Sequence, residues 1–319
     1  MNRKTRWTVL LAATAALVAG CGSPGAPVDP APVESVQRPM PPNAAEEHDV
    51  DGGGSTNDGC NPAASLGPSG NVPSGSTMDE IRQRGYLIVG VDQNTFLFGF
   101  RNPTTGKLEG FDIDIAKQVA KELLGDPEAV QFKAISSAQR IPTLTEGQVD
   151  IVVRTFSITC ERLEDINFST VYYVAGQRVL VNKDSDVEGV GDLGGKRVCA
   201  SKTSTSLPNV VQAAPEALPI SVDDWSDCLV MLQQGQVEAV STDDTILAGM
   251  AEQDPTTKIV GDRFTDELYG IGIPKENTDM VRYVNYVLDK VRGGPWQDSY
   301  RTWLLDRLGS ASPPRPEYQ

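Results

Sequence analysis

Residues 86–91 read Tyr86-Leu87-Ile88-Val89-Gly90-Val91, an apolar, β-branched run that is too short for a helix and stops at Asp92. Bounded in this way, it is a strand with both faces buried. The stretch that follows decides the class. Apolar positions at helical spacing occupy 112–124, residues 130–135 are extended, 140–146 are helical, and 149–153 are extended again. Strand alternating with helix implies a parallel sheet covered by helices. The pattern then repeats, with strands near 178–182, 197–200 and 237–241 and helices near 224–234 and 244–252. Extended Tyr269-Gly270-Ile271-Gly272-Ile273 leads to helical stretches at 277–292 and 296–308, which are expected to return to the first lobe. The expectation is an α/β protein with two parallel-sheet lobes.

Composition agrees with two cores and excludes several chemistries. The 319 residues are 39% hydrophobic, enough to fill two modest lobes. A formal charge of -15, with no basic run beyond the first six residues, disfavours nucleic acid as a partner. The only histidine, His48, lies in a low-complexity stretch, so neither a Ser/His/Asp triad nor a histidine zinc site can be assembled.

The N-terminus carries a targeting pattern. Arg3, Lys4 and Arg6 precede an apolar run from Trp7 to Ala19, too short to span a membrane comfortably, so residues 1–20 read as a secretory signal peptide. The run ends Leu17-Val18-Ala19-Gly20-Cys21, which resembles the bacterial lipobox and implies a lipid on Cys21. The alternative is an ordinary signal peptide with an incidental cysteine, although no A-x-A site is nearby. The expected location is the extracellular face of the cell membrane. Residues 21–76, rich in Pro, Gly, Ser, Asn and Asp, read as a disordered tether whose last part, Cys60 to Leu66, is capable of order. Residues 310–319, with three prolines, read as a disordered tail.

Setting Cys21 aside leaves Cys60, Cys160, Cys199 and Cys228, an even number in an oxidising compartment and without C-x-x-C spacing. Of the three pairings, Cys199 with Cys228 is favoured because both fall in one lobe, and Cys60 with Cys160 then follows.

Gly110-Phe111-Asp112-Ile113-Asp114-Ile115, continued by Val119, Ala120 and Leu123, resembles the opening signature of the polar-amino-acid family of extracellular solute-binding proteins. Two further blocks fit that family: Ser157-Ile158-Thr159-Cys160-Glu161-Arg162 with Asn167-Phe168-Ser169 and Tyr172, and Ala239-Val240-Ser241-Thr242-Asp243-Asp244. The resemblance covers about residues 78–308. It implies a periplasmic-binding-protein-like type II fold, with lobe 1 at 77–172 and 272–309, lobe 2 at 177–268, and a hinge of two strands near 172–177 and 268–271. It further implies a monomer without cofactor or catalysis that binds glutamate, aspartate, asparagine or glutamine and hands it to an ABC permease or a membrane sensor. A less favoured reading is a cleft enzyme on the same fold.

Residue roles follow from chemistry and resemblance together. Asp112 reads as a helix N-cap, and with Asp114 is structural. The resemblance gives Arg162 the ligand's α-carboxylate, for which a guanidinium offers two parallel hydrogen bonds, with Ser157 adding a hydroxyl and amide. It places Thr155 at the α-ammonium, and Asp243, at a strand end, would pair with that ammonium; Asp244, next in sequence, would cap the helix. Thr205, in the loop 201–206, would contact the carboxylate, although Thr203 and Thr205 stand where the family carries glycine. The segment Ser136-Ser137-Ala138-Gln139-Arg140 resembles the S-x-x-R of glutamate/aspartate binders, so Ser137 and Arg140 are expected at the ligand side chain. Arg154 is a second candidate cation, with an exposed loop charge as the alternative. Asp92 would contact an amide or ammonium, and Phe96, Phe98 and Phe100 would wall the ligand's aliphatic part or lie in the core.

Overall fold

A computed structural model describes residues 39–48, 50 and 59–319 of the chain. The signal peptide, Cys21 and the first part of the expected tether lie outside the described residues. The described residues open with β1 (Ala45–Glu46) and β2 (Ala64–Ser65). Lobe 1 begins with α1 (Thr77–Arg84), β3 (Leu87–Val91) and the short strands β4 (Asn94–Thr95), β5 (Gly99–Arg101) and β6 (Leu108–Glu109). It continues through α2 (Phe111–Leu124), β7 (Val130–Ala134), α3 (Arg140–Thr145), β8 (Ile151–Val152), α4 (Cys160–Asp165) and β9 (Ile166–Phe168).

The crossing strand β10 (Tyr173–Ala175) leads to lobe 2, formed by β11 (Gln177–Asn182), β12 (Arg197–Ser201), α5 (Ser206–Ala213) and β13 (Leu218–Val222). Its remaining elements are α6 (Trp225–Gln233), β14 (Ala239–Asp243), α7 (Asp244–Gln253) and β15 (Thr257–Val260). The chain returns through β16 (Glu267–Tyr269), which pairs antiparallel with β10, Tyr173 opposite Tyr269. Lobe 1 is completed by β17 (Gly272–Pro274), α8 (Thr278–Arg292), α9 (Pro295–Trp303) and α10 (Leu305–Leu308), and β18 (Glu317–Tyr318) ends the chain.

The sheet orders are β7-β3-β8-β17-β9 in lobe 1 and β1-β13-β12-β14-β11-β15 in lobe 2. Both sheets are mixed, which corrects the expectation of parallel sheets. β7, β3 and β8 are parallel, as are β13, β12 and β14, but β17 and β11 run antiparallel to their neighbours. Those two strands directly follow a crossing, so each enters its sheet from the end facing the other lobe. Periodicity reports which residues are extended and not which way they run. The carboxyl ends of the parallel strands remain gathered toward the crossing, the usual place for ligand loops in open α/β sheets.

Gly110 shows why the 110–115 block opens with glycine. Its φ is +127°, and an added Cβ would lie 2.3 Å from the Phe98 carbonyl oxygen. Gly110, rather than Asp112, occupies the N-cap of α2; Asp112 is the second helical residue and fully buried. Asp114 accepts from the Ser299 hydroxyl at 2.7 Å and the Trp303 indole at 2.8 Å, docking α9 on α2. Met280, Val284, Val287, Leu288 and Val291 form one apolar stripe of α8 buried in the same core.

The two ends of the described chain differ from expectation. Ala45 and Glu46 add an antiparallel strand to the edge of β13, and Ala44 and Val50 pack against the lobe 2 core. Residues 317 and 318 pair parallel with 64 and 65, while the Arg292 Nε donates to the Pro314 carbonyl at 2.9 Å. The prolines expected to prevent order preset an extended backbone, which suits an edge strand. Cys60 is bonded to Cys160, and Cys199 to Cys228.

Asn285, fully buried on α8, holds these pieces together. It accepts from the Thr170 amide at 2.7 Å and donates to Ser65 Oγ at 3.0 Å and the Leu66 carbonyl at 2.7 Å. Asn285→Ala strands those partners in an apolar setting and is expected to cost about 2–4 kcal/mol. Urea unfolding measures the loss, and hydrogen exchange should rise first at residues 64–66.

Candidate functional site

The loop leaving β8 is fixed from behind by buried charge. Arg154 is 1% exposed; its Nε donates to the Ile135 carbonyl at 2.8 Å and its Nη1 to Ser137 Oγ at 2.9 Å. Its Nη2 lies 2.7 Å from Asp92 Oδ2 but outside hydrogen-bonding direction, so that contact is an ion pair alone. Asp92 also accepts from the Gln93 and Asn94 amides and the Thr95 hydroxyl. Asp92 and Arg154, both expected at the ligand, are instead occupied with each other and with the backbone. Arg154 closes the apolar run Ile151-Val152-Val153, but its own charge gives no sign in sequence of the distant partner that lets it be buried.

Thr155, the next residue, lines the cleft and has a left-handed backbone, φ +37°. Two neighbouring guanidinium groups face the other lobe. Arg140 Nε donates to the Ser137 carbonyl at 2.9 Å, and Arg162 Nη1 to the Ser157 carbonyl at 2.6 Å. Their Nη2 groups meet on one acceptor, the Thr203 carbonyl of lobe 2, at 3.2 Å and 2.9 Å. Both guanidinium carbons lie over the Phe156 ring, at 4.4 Å and 5.1 Å from its centroid, where the π face favours a cation. Burial, and then Arg162 and Arg154, push the Arg140 pKa well down; burial pushes Arg162 down, opposed by Glu267. A cluster of like charges with so little solvent favours an anion between them.

Lobe 2 supplies the opposite sign. Asp243 ends β14; its Oδ2 accepts from the Tyr269 hydroxyl, while its buried Oδ1 has no hydrogen-bond partner among the described residues. Burial raises the Asp243 pKa well above the carboxylate range, and nearby Glu267 raises it further. Asp244 turns away to an ion pair with Arg263, so of the two acids Asp243 is the one in the cleft. The Thr205 hydroxyl donates to Glu267 at 2.8 Å, which ties the loop before α5 to the crossing strand β16.

Between the lobes lies a cavity of about 10 Å³, lined by Ser137, Arg140, Thr155, Ser157, Asp243 and Trp225, with residues 204–206 and Ile246; Arg162, expected at the ligand carboxylate, is not in its lining and instead holds the Ser157 and Thr203 carbonyls. That is room on the order of one water, so an amino acid can enter only when the lobes part. Phe96, Phe98 and Phe100 do not line it: Phe98 stacks edge-on against Tyr173, and Phe100 against Trp303. The aromatic lining comes instead from Trp225, at the start of α6, while Phe156 lies beneath the arginines. Neither Trp225 nor Glu267 stood out in sequence, because each lies in an acidic segment that reads as surface.

A two-lobe α/β body with cations on one wall and a carboxylate on the other defines a binding protein for a small solute. The chain belongs to the bacterial extracellular solute-binding proteins, family 3, whose profile matches residues 87–306. It is 39% identical over 249 residues to the ABC transporter glutamine-binding protein of Bacillus subtilis, covering 77% of this chain and 91% of that one. It is 45% identical over 208 residues to a glutamine-binding protein of Geobacillus stearothermophilus, covering 65% and 79%. A glutamate-binding protein of Corynebacterium glutamicum is 31% identical over 242 residues, covering 72% and 81%. Among solved structures, an ancestral arginine-binding protein bound to glutamine superimposes with a TM-score of 0.66 at 35% identity, over 71% of this chain and 99% of that one.

Arg154→Met leaves Asp92 buried without its counter-charge. The substitution is expected to lower the unfolding free energy by about 3–5 kcal/mol, measured by denaturant unfolding. An exposed or ligand-only role for Arg154 would leave stability within about 0.5 kcal/mol of the parent.

Proposed function

We propose that this protein holds glutamine or glutamate between its lobes and presents it to an ABC permease on the outer face of the cell membrane, where a lipid on Cys21 retains it. One observation carries the reading: the buried Arg140 guanidinium and the buried Asp243 carboxylate, which has an unpartnered oxygen, line one cavity, and Arg162 shares with Arg140 the Thr203 carbonyl of the opposite lobe. That is the charge complement of a zwitterion. Arg162 takes the α-carboxylate in place of the Thr203 carbonyl, with the Ser157 backbone beside it. Asp243 and Thr155 take the α-ammonium. Arg140 and Ser137 meet the side-chain amide or carboxylate, and Trp225 covers its methylenes. The relatives named for glutamine and glutamate support this ligand class.

Closure supplies the signal, since a ligand shifts an opening equilibrium only by its differential affinity for the two forms. The crossing strands β10 and β16 are the hinge about which the lobes turn. Titration calorimetry of the full chain against glutamine, glutamate, aspartate and arginine tests the reading. Glutamine or glutamate should bind, and Arg162→Ala should weaken binding by about 2–5 kcal/mol through loss of a buried charged partner. Unchanged affinity in that variant would overturn the assignment of the carboxylate site.

The raised pKa of Asp243 adds a pH signature. Without ligand the carboxyl is easily protonated, and an ammonium beside it favours the charged form. Ligand uptake at a pH where the free carboxyl is protonated should therefore release protons, visible as a dependence of calorimetric enthalpy on buffer ionisation heat. Asp243→Asn should reduce that release along with the affinity.

A further inference from the structure

We propose that Asp112 is a positioning residue for the ligand site: from beneath the cleft its carboxylate fixes the left-handed Thr155, and so the direction in which the 155–157 loop faces the cavity. The inference rests on the reading above that Thr155 meets the ligand ammonium. Asp112 is 1% exposed and never reaches the cavity itself. Its Oδ2 accepts from the Thr155 amide at 2.8 Å, and its Oδ1 from the Tyr172 hydroxyl at 2.8 Å. A non-glycine residue at φ +37° carries backbone strain on the order of 1–3 kcal/mol and persists only where its surroundings hold it. The hold here is twofold: Arg154 is pinned on one side of the strained residue, and the Thr155 amide is bonded to Asp112. Tyr172 lies just before the crossing strand β10, so one carboxylate joins the loop, the opening turn of α2 and the root of the hinge.

Asp112 is also the group in this arrangement able to report its own state. Burial pushes its pKa up to about 7; the Tyr172 and Thr155 hydrogen bonds resist, Asp92 adds to the rise and Arg154 opposes it. The ionised carboxylate accepts from both donors. When protonated it can turn a hydrogen on Oδ1 toward the Tyr172 oxygen, and the Thr155 amide then bonds to a neutral carbonyl oxygen without charge assistance, so the grip on Thr155 weakens. A group with a raised pKa is protonated below that value, so the firm hold belongs to the alkaline side of about pH 7. The ligand's ammonium at Thr155 stabilises the ionised form, so affinity rises with pH through the same interval. Asp243 adds its own pH dependence, and the Asp112 variants separate the two.

The test uses the isotopically labelled full chain with no amino acid added. The Thr155 amide resonance is followed from pH 5.5 to 8.5, and we expect an inflection near pH 7 that is absent in Asp112→Asn. Tyr172→Phe removes a bond that lowers the Asp112 pKa, so it should move the inflection upward; this variant serves if Asp112→Asn fails to fold. Glutamine affinity between pH 6 and 8 should rise at least threefold more in the parent than in Asp112→Asn. Asp112→Ala should weaken binding ten- to hundredfold. A Thr155 resonance without inflection, or one that titrates identically in Asp112→Asn or Tyr172→Phe, overturns the proposal. If the inflection is present but neither glutamine nor glutamate binds, the proposed function fails while the positioning role stands.

Discussion

The ion pair between Arg154 and Asp92 is the constraint on which the cleft depends. Through Ile135, Ser137 and Asp92, one guanidinium reaches the residues that follow β7 and β3, while its own backbone leaves β8. It therefore ties together the carboxyl ends of three adjacent parallel strands. Buried pairs of this kind contribute little net stability relative to an apolar replacement, but losing one partner is costly because the other charge stays buried. The consequence is geometric. With Asp92 saturated by Arg154 and local amides, no acid among the described residues of lobe 1 pairs directly with Arg140 or Arg162, and both donate to the Thr203 carbonyl of the other lobe.

Lobe 2 answers with a polar network instead of a single pair. Glu267 on the crossing strand accepts from Thr205, Asn209 and Thr265, and Asn209 also donates to Gln177 at the start of β11. Gln177 in turn donates to the Ser206 carbonyl and the Ser241 hydroxyl. The loop that offers its carbonyl to the arginines is therefore bonded to residues at both crossings between the lobes. Satisfied networks of this kind rigidify their surroundings. The same bonds that shape the acidic wall of the cleft anchor it to β16 and to the start of β11.

Outside the cleft, the segments flanking the two lobes cover sheet edges and seams. Residues 45 and 46 close the β13 edge, and the pairing of 64–65 with 317–318 lies beside α8, where Asn285 and Arg292 satisfy the backbone groups. An uncovered edge strand invites pairing with other chains, and covering it in this way limits that risk. The disulfide from Cys60 to Cys160 fastens one of these segments next to the α4 turn that carries Arg162.

The sequence by itself determined the α/β class, the two-lobe division and the family; of the residues it offered for the site, Ser137, Arg140, Thr155, Ser157, Thr205 and Asp243 line the cavity, and Arg162, Asp92 and Arg154 do not. These were legible because apolar period and short polar blocks at strand ends are local signals, written in consecutive residues. Tertiary structure alone decided the strand directions in the mixed sheets and the order of both flanking segments. It also decided the burial of Arg154 against Asp92, the inward place of Trp225 and Glu267, and the role of Asp112 beneath Thr155. Each of those depends on partners 40 to more than 200 residues away, and a charged or aromatic side chain reads the same in sequence whether it meets solvent or a buried counterpart. Only the closing of the chain on itself removes the water and makes that distinction.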